Sequence, residues 1–479
     1  MSIQQRGRQG LALSFLAGLV ALFAVASPAS AGAADRAGAC LDGFECLDVP
    51  VPLDRSGSLP GTIELPVVVS EGSGPILLAL GGGPGQGMVA LADRFGPFLQ
   101  SLAPGWRIAF LDQRGTGANA LDCPAMQDAG LTDVTVPPPG SVAQCAQALG
   151  RSRSAYATTA TVADLEAVRE ALGVDRLGLL GVSYGTYVAE RYARAYPSRV
   201  SRLVLDSVVP QENVNPLFPA NMRRAGLVLR QLCGSTDACD GVTDRPVRLV
   251  RRLVHRTNRD PVIAQPPDGE LPQTPIRIDG PALFDQMISL SSFAQKRFER
   301  FPGFVKRALG GHPGGLVRQA AKLRAANLTP ADSLSWGLHT ATICSDTDLP
   351  WEPDSDRRER RGAARAAAHA LGPSAFGPFD PRTAAGNGLI ETCVRWQAPA
   401  PAPPPAPGPL PDVPTLFLSG AWDLSTPLAD AREEASRSPD AELVVVPHGG
   451  HSTITSQGCA QQAVALFFRG QPVGDPCGS

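Results

Sequence analysis

Short apolar runs recur in two blocks of the chain. In the first block, residues 76–80, 108–111, 177–182 and 203–205 are continuous apolar runs, and such runs predict buried strands. Helical patterns separate several of these runs. Because strands that alternate with helices form a parallel sheet with both faces covered, this block predicts an α/β fold.

One of the intervening segments, residues 161–172, has the pattern of a capped helix. Thr161 is followed three residues later by Asp164, and apolar residues then recur on one face as far as Leu172. We therefore expect a helix that begins at Thr161 and packs its apolar face on the sheet.

After Pro210 the pattern changes from strands to helices. From about residue 215 to residue 375 most segments have helical periodicity, for example 222–232, 247–254 and 357–371. Many arginines lie in these segments. We interpret their arginine-rich faces as solvated surface rather than as binding patches.

The strand pattern returns after residues 398–414, which are dense in alanine and proline and predict a stiff, extended connector. Residues 415–418 and 442–446 form the second block of apolar runs, and a helical pattern near residues 461–468 follows. The length of the chain suits either one large domain with a helical insertion or two domains.

The first 31 residues have the organisation of a secretory signal peptide. Two arginines precede an almost wholly apolar stretch, residues 11–25, and Ala-Ser-Ala at residues 29–31 supplies a small-x-small cleavage pattern. The stretch is too short and wrongly flanked for a stable span, so we favour cleavage over an uncleaved anchor. We expect a secreted or periplasmic protein that is soluble after cleavage.

Charge narrows the classes of partner. The 479 residues have a formal net charge of −2, which becomes −4 without the two arginines of the signal peptide. Neither value indicates binding to nucleic acid or to an anionic membrane. The expected partner is a peptide or small-molecule substrate, and the oligomeric state stays open.

Ten cysteines in an exported chain predict disulfide bonds, because exported proteins meet an oxidising environment. The sequence alone does not fix their connectivity. A zinc site is the alternative, but no Cys-x-x-Cys pair or His-x₃-His spacing supports it. Short spacings suggest Cys40–Cys46, Cys123–Cys145, Cys233–Cys239 and Cys459–Cys477, which leaves Cys344–Cys393.

Residues 181–185 read Gly-Val-Ser-Tyr-Gly and lie between a predicted strand and a helical stretch. In this context the chain turns sharply, the glycines leave room where a Cβ would clash, and the serine hydroxyl rises above the sheet edge. The pentapeptide alone is weak evidence, since a glycine-rich turn with an ordinary buried serine has the same residues. Ser183 is therefore a candidate nucleophile whose support must come from its partners.

A serine nucleophile needs a base that takes its proton and an acid that orients the base. In hydrolases with this strand–turn–helix element, the order along the chain is Ser, then Asp or Glu, then His. Asp423 follows the strand predicted at residues 415–418, at the strand end where parallel sheets bind ligands. We predict Asp423 as the acid.

Two histidines follow the strand predicted at residues 442–446. His448 lies directly at the strand exit, whereas His451 comes after Gly449 and Gly450, which can bend the loop back over the sheet edge. We predict His451 as the base and interpret His448 as structural. The other four histidines fall in the helical middle and are interpreted as surface or packing residues.

The negative oxygen of a tetrahedral intermediate needs N–H donors that are fixed in advance. One expected donor is the backbone N–H of Tyr184. The other should come from the run Gly-Gly-Gly-Pro-Gly at residues 81–85, and since Pro84 has no N–H, Gly82 or Gly83 must donate. A phosphate-binding loop is the alternative, but neither Gly-Lys-Ser/Thr nor a dinucleotide fingerprint is present.

Several motifs together resemble the prolyl aminopeptidase group of α/β-hydrolases, and more closely its exported tripeptidyl-aminopeptidase-like branch. The resemblance covers most of residues 40–477 and is weakest from 215 to 335. The motifs that carry it are Gly82-Gly83-Pro84-Gly85, Asp112-Gln113-Arg114-Gly115-Thr116-Gly117, Gly181-Val182-Ser183-Tyr184-Gly185, Cys344-Ser345-Asp346, Cys393 with Trp396, Gly420 with Asp423 and Thr426-Pro427, and Gly450-His451 followed by Cys459.

The resemblance implies roles for five residues. Ser183 would be the nucleophile, Asp423 the orienting acid and His451 the base. Gly83 and Tyr184 would be the oxyanion donors. No metal ion and no organic cofactor is implied.

The resemblance also implies an α/β-hydrolase fold, with a mostly parallel sheet, helices on both faces and a mainly helical cap inserted between two halves of the core. We place the first half at residues 32–210, the cap at 211–397, the connector at 398–414 and the second half at 415–479.

One position departs from the family pattern. The prolyl enzymes often have His directly before Gly-Gly-Pro-Gly, where this chain has Gly81. The departure puts strict proline specificity in doubt but leaves the oxyanion donors in place. Asp112 and Arg114 are interpreted as scaffold residues that shape the loops near the site.

The expected activity is that of a secreted serine exopeptidase that removes a short peptide or one residue from a free N-terminus. Such an enzyme must hold the substrate ammonium, and a carboxylate in the cap is the natural partner. Asp346, Asp348 and Glu352 are the candidates, although they are equally read as surface acids, or Asp346 as a helix cap. A carboxylic-ester or amide hydrolase would have the same triad, and a non-catalytic binding protein would keep only the fold.

Overall fold

The structure, a computed structural model, describes residues 40–266, 274–396 and 406–478. The predicted signal peptide at residues 1–31 and the first part of the predicted connector, residues 398–405, lie outside the described residues. Within the described residues, no helix combines the length and the apolar character that crossing a membrane requires.

A mostly parallel sheet forms the centre of the fold. Within the described residues it has eight strands in the order β1-β2-β4-β3-β5-β6-β9-β10, and β1 and β2 at one edge are the antiparallel members. The strands are β1 (Phe44–Pro52), β2 (Thr62–Ser70), β3 (Ile76–Leu80), β4 (Arg107–Leu111), β5 (Leu177–Val182), β6 (Val200–Asp206), β9 (Thr415–Gly420) and β10 (Ala441–Val446).

All six strands predicted from apolar runs are present and pair in parallel, which confirms the α/β fold. Of the eight strands of this sheet, β1 and β2 are the two that the sequence did not reveal. In β1, buried Val49 and Val51 alternate with exposed Pro50 and Pro52. This edge strand is covered on one face only, so it has no continuous apolar run.

Helices cover both faces of the sheet. Those of the first half are α1 (Ala92–Leu102), α2 (Pro124–Gln127), α3 (Ser141–Leu149), α4 (Thr158–Ala171) and α5 (Tyr184–Ala195). Those that follow β9 are α16 (Leu428–Ser436), α17 (Thr453–Ser456) and α18 (Gly458–Phe468).

A helical segment lies between β6 and β9 along the chain, and we call it the cap. Its apolar side chains form a core of their own, separate from the two clusters that line the faces of the sheet. The cap contains α6 (Pro219–Ser235), α7 (Pro246–Arg259), β7 (Val262–Ala264), β8 (Ile276–Ile278), α8 (Gly280–Phe293), α9 (Gln295–Phe298), α10 (Phe301–Leu309), α11 (Gly314–Ala326), α12 (Trp336–Asp346), α13 (Arg357–Leu371), α14 (Pro381–Ala385) and α15 (Gly388–Arg395).

The helix predicted at residues 161–172 exists, but the predicted start and cap are wrong. Helix α4 begins at Thr158, and no side chain caps it from its N-cap position. Asp164 instead accepts two hydrogen bonds from the buried Arg114, at 2.6 and 2.8 Å, and one from Arg55 at 2.6 Å. A buried guanidinium needs a counter-charge, and Asp164 supplies it to Arg114 instead of capping the helix.

The structure contains the five disulfide bonds that the spacings suggested, so each of the ten cysteines is paired. The Cys344–Cys393 bond joins α12 to α15 within the cap. Disulfide bonds of this kind persist in oxidising compartments and are compatible with export.

We expect the Asp164→Asn variant to lose about 3–5 kcal/mol of unfolding free energy, because the substitution leaves the Arg114 cation buried without a counter-charge. Arg114 also donates to the carbonyls of Leu53 and Ala155, so the loss should destabilise the contact between the β1 end and α4. Denaturant unfolding with the disulfides intact measures the change.

The matched control for this prediction is Glu170→Gln on the same helix. The Glu170 side chain is 68% exposed and lies 3.6 Å from Arg169, so its loss should cost less than about 1 kcal/mol. Equal costs for the two variants would contradict the assignment of Arg114–Asp164 as a structural ion pair.

Candidate active site

Ser183 occupies a sharp turn between β5 and α5. Its φ of 56° and ψ of −125° lie in a region that non-glycine residues rarely adopt. Glycine is required on both sides of this turn because other backbone atoms lie too close for a side chain. A Cβ at Gly181 would lie 2.5 Å from the Gly185 carbonyl oxygen, and a Cβ at Gly185 would clash with the Leu80 carbonyl. The turn predicted from the pentapeptide is present, and Ser183 lines the main cavity.

Asp423 and His451 form a buried pair directly beside this cavity. The Nδ1 atom of His451 lies 2.7 Å from Oδ2 of Asp423, and the Asp423 side chain is fully buried. The second hydrogen bond to the same oxygen comes from the Thr426 hydroxyl at 2.7 Å. His451 lines the cavity together with Ser183, so the structure brings the predicted nucleophile and the predicted base to one space.

The cap completes the environment of the Asp423 carboxylate. The Ser292 hydroxyl, on α8, donates to Oδ1 at 2.9 Å, and the backbone N–H of Ser425 donates to the same oxygen at 2.8 Å. The Ser292 carbonyl oxygen accepts a hydrogen bond from the backbone N–H of His451 at 2.7 Å. Sequence reasoning missed Ser292, since no local pattern marks a cap serine that meets the core only in the folded chain.

The electrostatics of the pair favour its ionised forms. Burial alone would raise the pKa of Asp423, but the charge and hydrogen bond of His451 and the hydroxyls of Thr426 and Ser292 hold it below the ordinary value. Burial alone would lower the pKa of His451, but the Asp423 carboxylate outweighs burial and raises it above 6.5. Such a pair stabilises the imidazolium that forms when a base takes a proton.

The loop that carries His451 is held by contacts from the core and from the cap. Asp206, at the end of β6, accepts the Ile454 N–H at 2.8 Å and the Thr453 hydroxyl at 3.0 Å. The Phe293 ring meets the His451 ring edge-on, with 5.1 Å between centroids. His448 is exposed and packs on Trp422 at 4.8 Å, outside the cavity, so of the two histidines only His451 faces Ser183.

The glycine-rich run after β3 passes directly against the nucleophile. A Cβ at Gly82 would lie 3.2 Å from the Cβ of Ser183. The Gly82 N–H donates to the Gln86 side chain at 2.9 Å, which leaves Gly83 as the glycine whose N–H is available to an oxyanion. The Tyr184 N–H opens α5 and has no acceptor within the helix.

His339, one of the four histidines assigned to the cap, supports this loop. It is buried, its ring lies 4.6 Å from that of Trp336, and its Nδ1 atom lies 3.1 Å from the Pro84 carbonyl oxygen. The side chain therefore packs the cap against the loop, which is the packing role expected for it.

The main cavity has a volume of about 320 Å³. Of the three predicted amine-binding acids, one lines this cavity and two do not. Asp346 lies on its wall, buried, and its oxygens accept the Thr158 N–H at 3.1 and 3.2 Å, so it also caps α4 from a distance. Asp348 and Glu352 are exposed and do not line the cavity. They follow the end of α12, in an exposed part of the chain.

Asp346 and Asp133 are the two carboxylates that line the cavity beside the triad. Burial raises the pKa of Asp346 to about 6, against the opposing effect of the Thr158 hydrogen bonds. Asp133 stands at the cavity mouth with 47% of its side chain exposed and lies 3.5 Å from Nε2 of His339. Sequence reasoning missed Asp133, which lies in a loop with no strand or helix to mark it.

The two scaffold residues lie outside the cavity, as expected. Asp112 accepts the N–H groups of Met88 and Val89 at 2.7 and 2.9 Å and so fixes the chain that follows the glycine-rich run. Arg114 forms the ion pair with Asp164 described above. Both residues position loops and neither reaches the reacting atoms.

Two known families match parts of the chain. The α/β hydrolase fold family matches residues 75–233, which include Ser183, and the TAP-like protein family matches residues 379–474, which include Asp423 and His451. The chain has the α/β-hydrolase fold. The first match continues into α6 of the cap, and the second begins in the cap, before α14, and continues through β9 and β10.

Individual relatives are peptidases. The chain is 25% identical to the serine protease Hip1 of Mycobacterium tuberculosis over 357 residues, which are 70% of this chain and 64% of that protein. It is 30% identical to the tripeptidyl aminopeptidase of Streptomyces coelicolor over 203 residues, which are 37% of this chain and 38% of that protein. These matches confirm the resemblance to the tripeptidyl-aminopeptidase-like branch of the α/β-hydrolases.

The chain thus spans less than two thirds of the length of these relatives. Among solved structures, Rv0554 from Mycobacterium tuberculosis aligns with 16% identity and a TM-score of 0.38 over 89% of this chain and 100% of that chain.

We expect the rate at which a fluorophosphonate probe labels Ser183 to rise with pH through a midpoint above 6.5. The reason is that only neutral His451 can accept the serine proton, and Asp423 raises the pKa of the ring. Labelling falls as the pH drops below that midpoint because the ring is then protonated. Stopped-time labelling between pH 5 and 9 measures the profile, and the Ser183→Ala variant is the unlabelled control.

The Asp423→Asn variant should slow labelling on the order of 10⁴-fold, as expected when the acid of a Ser-His-Asp triad is neutralised. Its midpoint should also move to lower pH, because the carboxylate that raises the His451 pKa is gone. An unchanged midpoint would contradict the pairing of these two residues.

Proposed function

We propose that this chain is an exported serine hydrolase of the aminopeptidase type, which releases short peptides or single residues from free N-termini through an acyl-enzyme on Ser183. The observation that carries the proposal is the buried carboxylate of Asp346 on the wall of the cavity that also contains Ser183 and His451. A nucleophile alone supports any acyl transfer, whereas a buried carboxylate selects substrates with a cation at a set distance.

The proposed reaction uses side chains that line one cavity, Ser183 and His451, together with Asp423 behind His451. His451 takes the proton of Ser183, the serine oxygen attacks the scissile carbonyl, and Asp423 stabilises the imidazolium through the 2.7 Å hydrogen bond. The N–H groups of Gly83 and Tyr184 stabilise the oxyanion. His451 then protonates the leaving amine, and water hydrolyses the acyl-enzyme with His451 again as the base.

Asp346 would bind the ammonium group of the substrate. Its pKa of about 6 leaves it mostly ionised at neutral pH, and the Thr158 N–H holds it in place. The Thr158 hydroxyl in turn lies 2.6 Å from the Tyr184 hydroxyl, so the acid is tied to the helix that begins at the nucleophile. An ion pair in this enclosed position fixes the substrate better than an exposed pair would.

The relatives support this assignment. The tripeptidyl aminopeptidases of Streptomyces and the serine protease Hip1 are peptidases by name. The two family matches include the segments with Ser183 and with His451, respectively. The signal-like residues 1–31 and the five disulfide bonds support export to an oxidising compartment.

A carboxylic-ester or amide hydrolase acting on small molecules is the second candidate. The observation that favours it is the apolar character of much of the cavity wall, which includes Phe95, Phe98, Phe218 and Trp336. An uncharged acyl group would bury apolar surface there without needing Asp346.

A panel of substrates separates the two candidates. Chromogenic tripeptide amides with free N-termini, the same amides with acetylated N-termini, and short-chain esters are compared with wild-type protein. The proposal requires at least a tenfold preference in kcat/KM for the free over the acetylated peptide. Equal turnover of both peptides, or turnover of esters alone, would overturn it.

The Asp346→Asn variant should lose the preference for free N-termini. Removing one member of a buried ion pair costs about 3–5 kcal/mol, so kcat/KM for the free peptide should fall on the order of 10²–10⁴-fold. Turnover of esters should change far less. The wild-type KM for free peptides should also decrease as the pH rises through about 6, where Asp346 ionises.

Asp348→Asn is the matched control, since it makes the same chemical change two residues away at an exposed position outside the cavity. It should leave the preference intact. If Asp348→Asn abolished the preference and Asp346→Asn did not, the amine site would be assigned to the wrong acid.

A further inference from the structure

The cap has a strong charge asymmetry that the net charge of the chain conceals. Residues 245–326 contain fifteen Arg or Lys against six Asp or Glu, a formal charge of +9, in a chain whose formal net charge is −2. All three lysines of the chain lie in this segment. The remainder of the protein is correspondingly acidic.

Much of this positive charge lies on four helices, α7, α9, α10 and α11. Together they expose eleven Arg or Lys side chains and contain no Asp or Glu at all. Helix α10 packs against both α7 and α11, so three of these helices are neighbours. We call the exposed cations of the four helices the basic face.

The basic face differs from an ordinary solvated surface. Elsewhere on the surface several cations pair with acids close by in the chain, as Arg437 does with Glu433 and Arg395 with Glu391. None of the cations of the basic face has an ion-pair partner among the described residues. Unpaired charge of one sign over several helices produces a potential that attracts anions.

The basic face reaches the mouth of the cavity. Arg297, on α9, is exposed and also lines the cavity, and Leu323 and Ala326 of α11 line it as well. The cavity has the opposite sign, because the carboxylates of Asp346 and Asp133 line it and that of Asp423 lies directly behind His451. A peptide with a positive end and a negative body would therefore match the cavity and the basic face at once.

We propose that the basic face binds the acidic segment of a polypeptide substrate downstream of the scissile bond. This inference rests on the proposed aminopeptidase function and names its substrate class: polypeptides with a free N-terminus followed by an acidic stretch. The N-terminus lies in the cavity at Asp346, and the rest of the chain leaves through the mouth past Arg297.

The dimensions fit a short segment. Helix α11 has 13 residues and is about 20 Å long, and about six extended residues span the same distance. Each exposed contact is individually weak, so the preference arises from the summed field and from faster encounter. Salt must therefore reduce it, since exposed charges are screened within about 8–10 Å at physiological ionic strength.

The test compares three peptides with the same N-terminal reporter sequence and a tail of six Glu, six Gln or six Lys. At low ionic strength we expect kcat/KM for the Glu tail to exceed that for the Gln tail on the order of tenfold and that for the Lys tail by more. The advantage should shrink to about twofold at about 0.5 M salt. Equal values for the three tails, or an advantage that salt does not change, would overturn the inference.

The double variant Arg318→Glu/Lys322→Glu reverses two exposed cations one turn apart on α11. It should reduce the ratio of Glu-tail to Gln-tail kcat/KM at least about threefold. The matched control, Arg358→Glu/Arg365→Glu, makes the same change of charge on α13, outside the basic face and the cavity. An equal loss in the control would show a general effect of net charge and overturn the inference.

A binding measurement separates this inference from the proposed function. Ser183→Ala protein is titrated into fluorescent Glu-tailed and Gln-tailed peptides, and anisotropy reports the two Kd values. If no free peptide is hydrolysed by the wild type, the proposed function fails, while tighter binding of the Glu tail still supports the basic face. If peptides are hydrolysed but neither kcat/KM nor Kd depends on the tail, the basic face alone is refuted.

Discussion

The fully buried carboxylate of Asp423 is the constraint on which the rest of the site depends. A carboxylate removed from water is tolerated only where donors replace its hydration. Here the donors come from three parts of the chain: the turn after β9, the His451 loop and Ser292 on the cap. The low dielectric strengthens the bond to the histidine, and this bond raises the proton affinity of the proposed base.

This arrangement makes the cap part of the catalytic geometry as well as a cover for the cavity. Ser292 uses its hydroxyl for Asp423 and its carbonyl for the His451 N–H, so one residue of α8 orients both the acid and the base. Thr158 also makes two contacts: its backbone N–H donates to Asp346, and its hydroxyl contacts the Tyr184 hydroxyl. The proposed base and the proposed amine-binding acid are thus each fixed by a contact between the core and the cap.

Sequence reasoning recovered what depends on chain order and local pattern. Strands β3 to β6 and β9 are largely buried on both faces, and their continuous apolar runs predicted them. Strand β10, at the sheet edge, is less buried but also has an apolar run. The ends of β9 and β10 pointed to Asp423 and His451, which the structure pairs. Strand β1 was not predicted because it is covered on one face only and has no continuous apolar run.

What escaped at the site are residues whose role exists only after folding. Ser292 contacts Asp423, Thr158 contacts Asp346, and Asp133 lines the cavity. These contacts join distant segments, and no local pattern marks the three residues. Asp346, Asp348 and Glu352 could not be ranked from sequence, since only the folded chain shows which of them lines the cavity. The basic face was read as solvated surface because composition does not show which cations lack partners.

Because Ser292 contacts both Asp423 and His451, it limits which parts of the cap can be exchanged by recombination. A chimera that exchanged the whole helical insertion for that of another hydrolase would remove a hydrogen bond from the acid and the anchor of the histidine loop together. Grafts that retain α8 and replace the helices around it keep both contacts. Helix α8 therefore marks the inner limit of the module that can be swapped to obtain new specificities on an unchanged catalytic core.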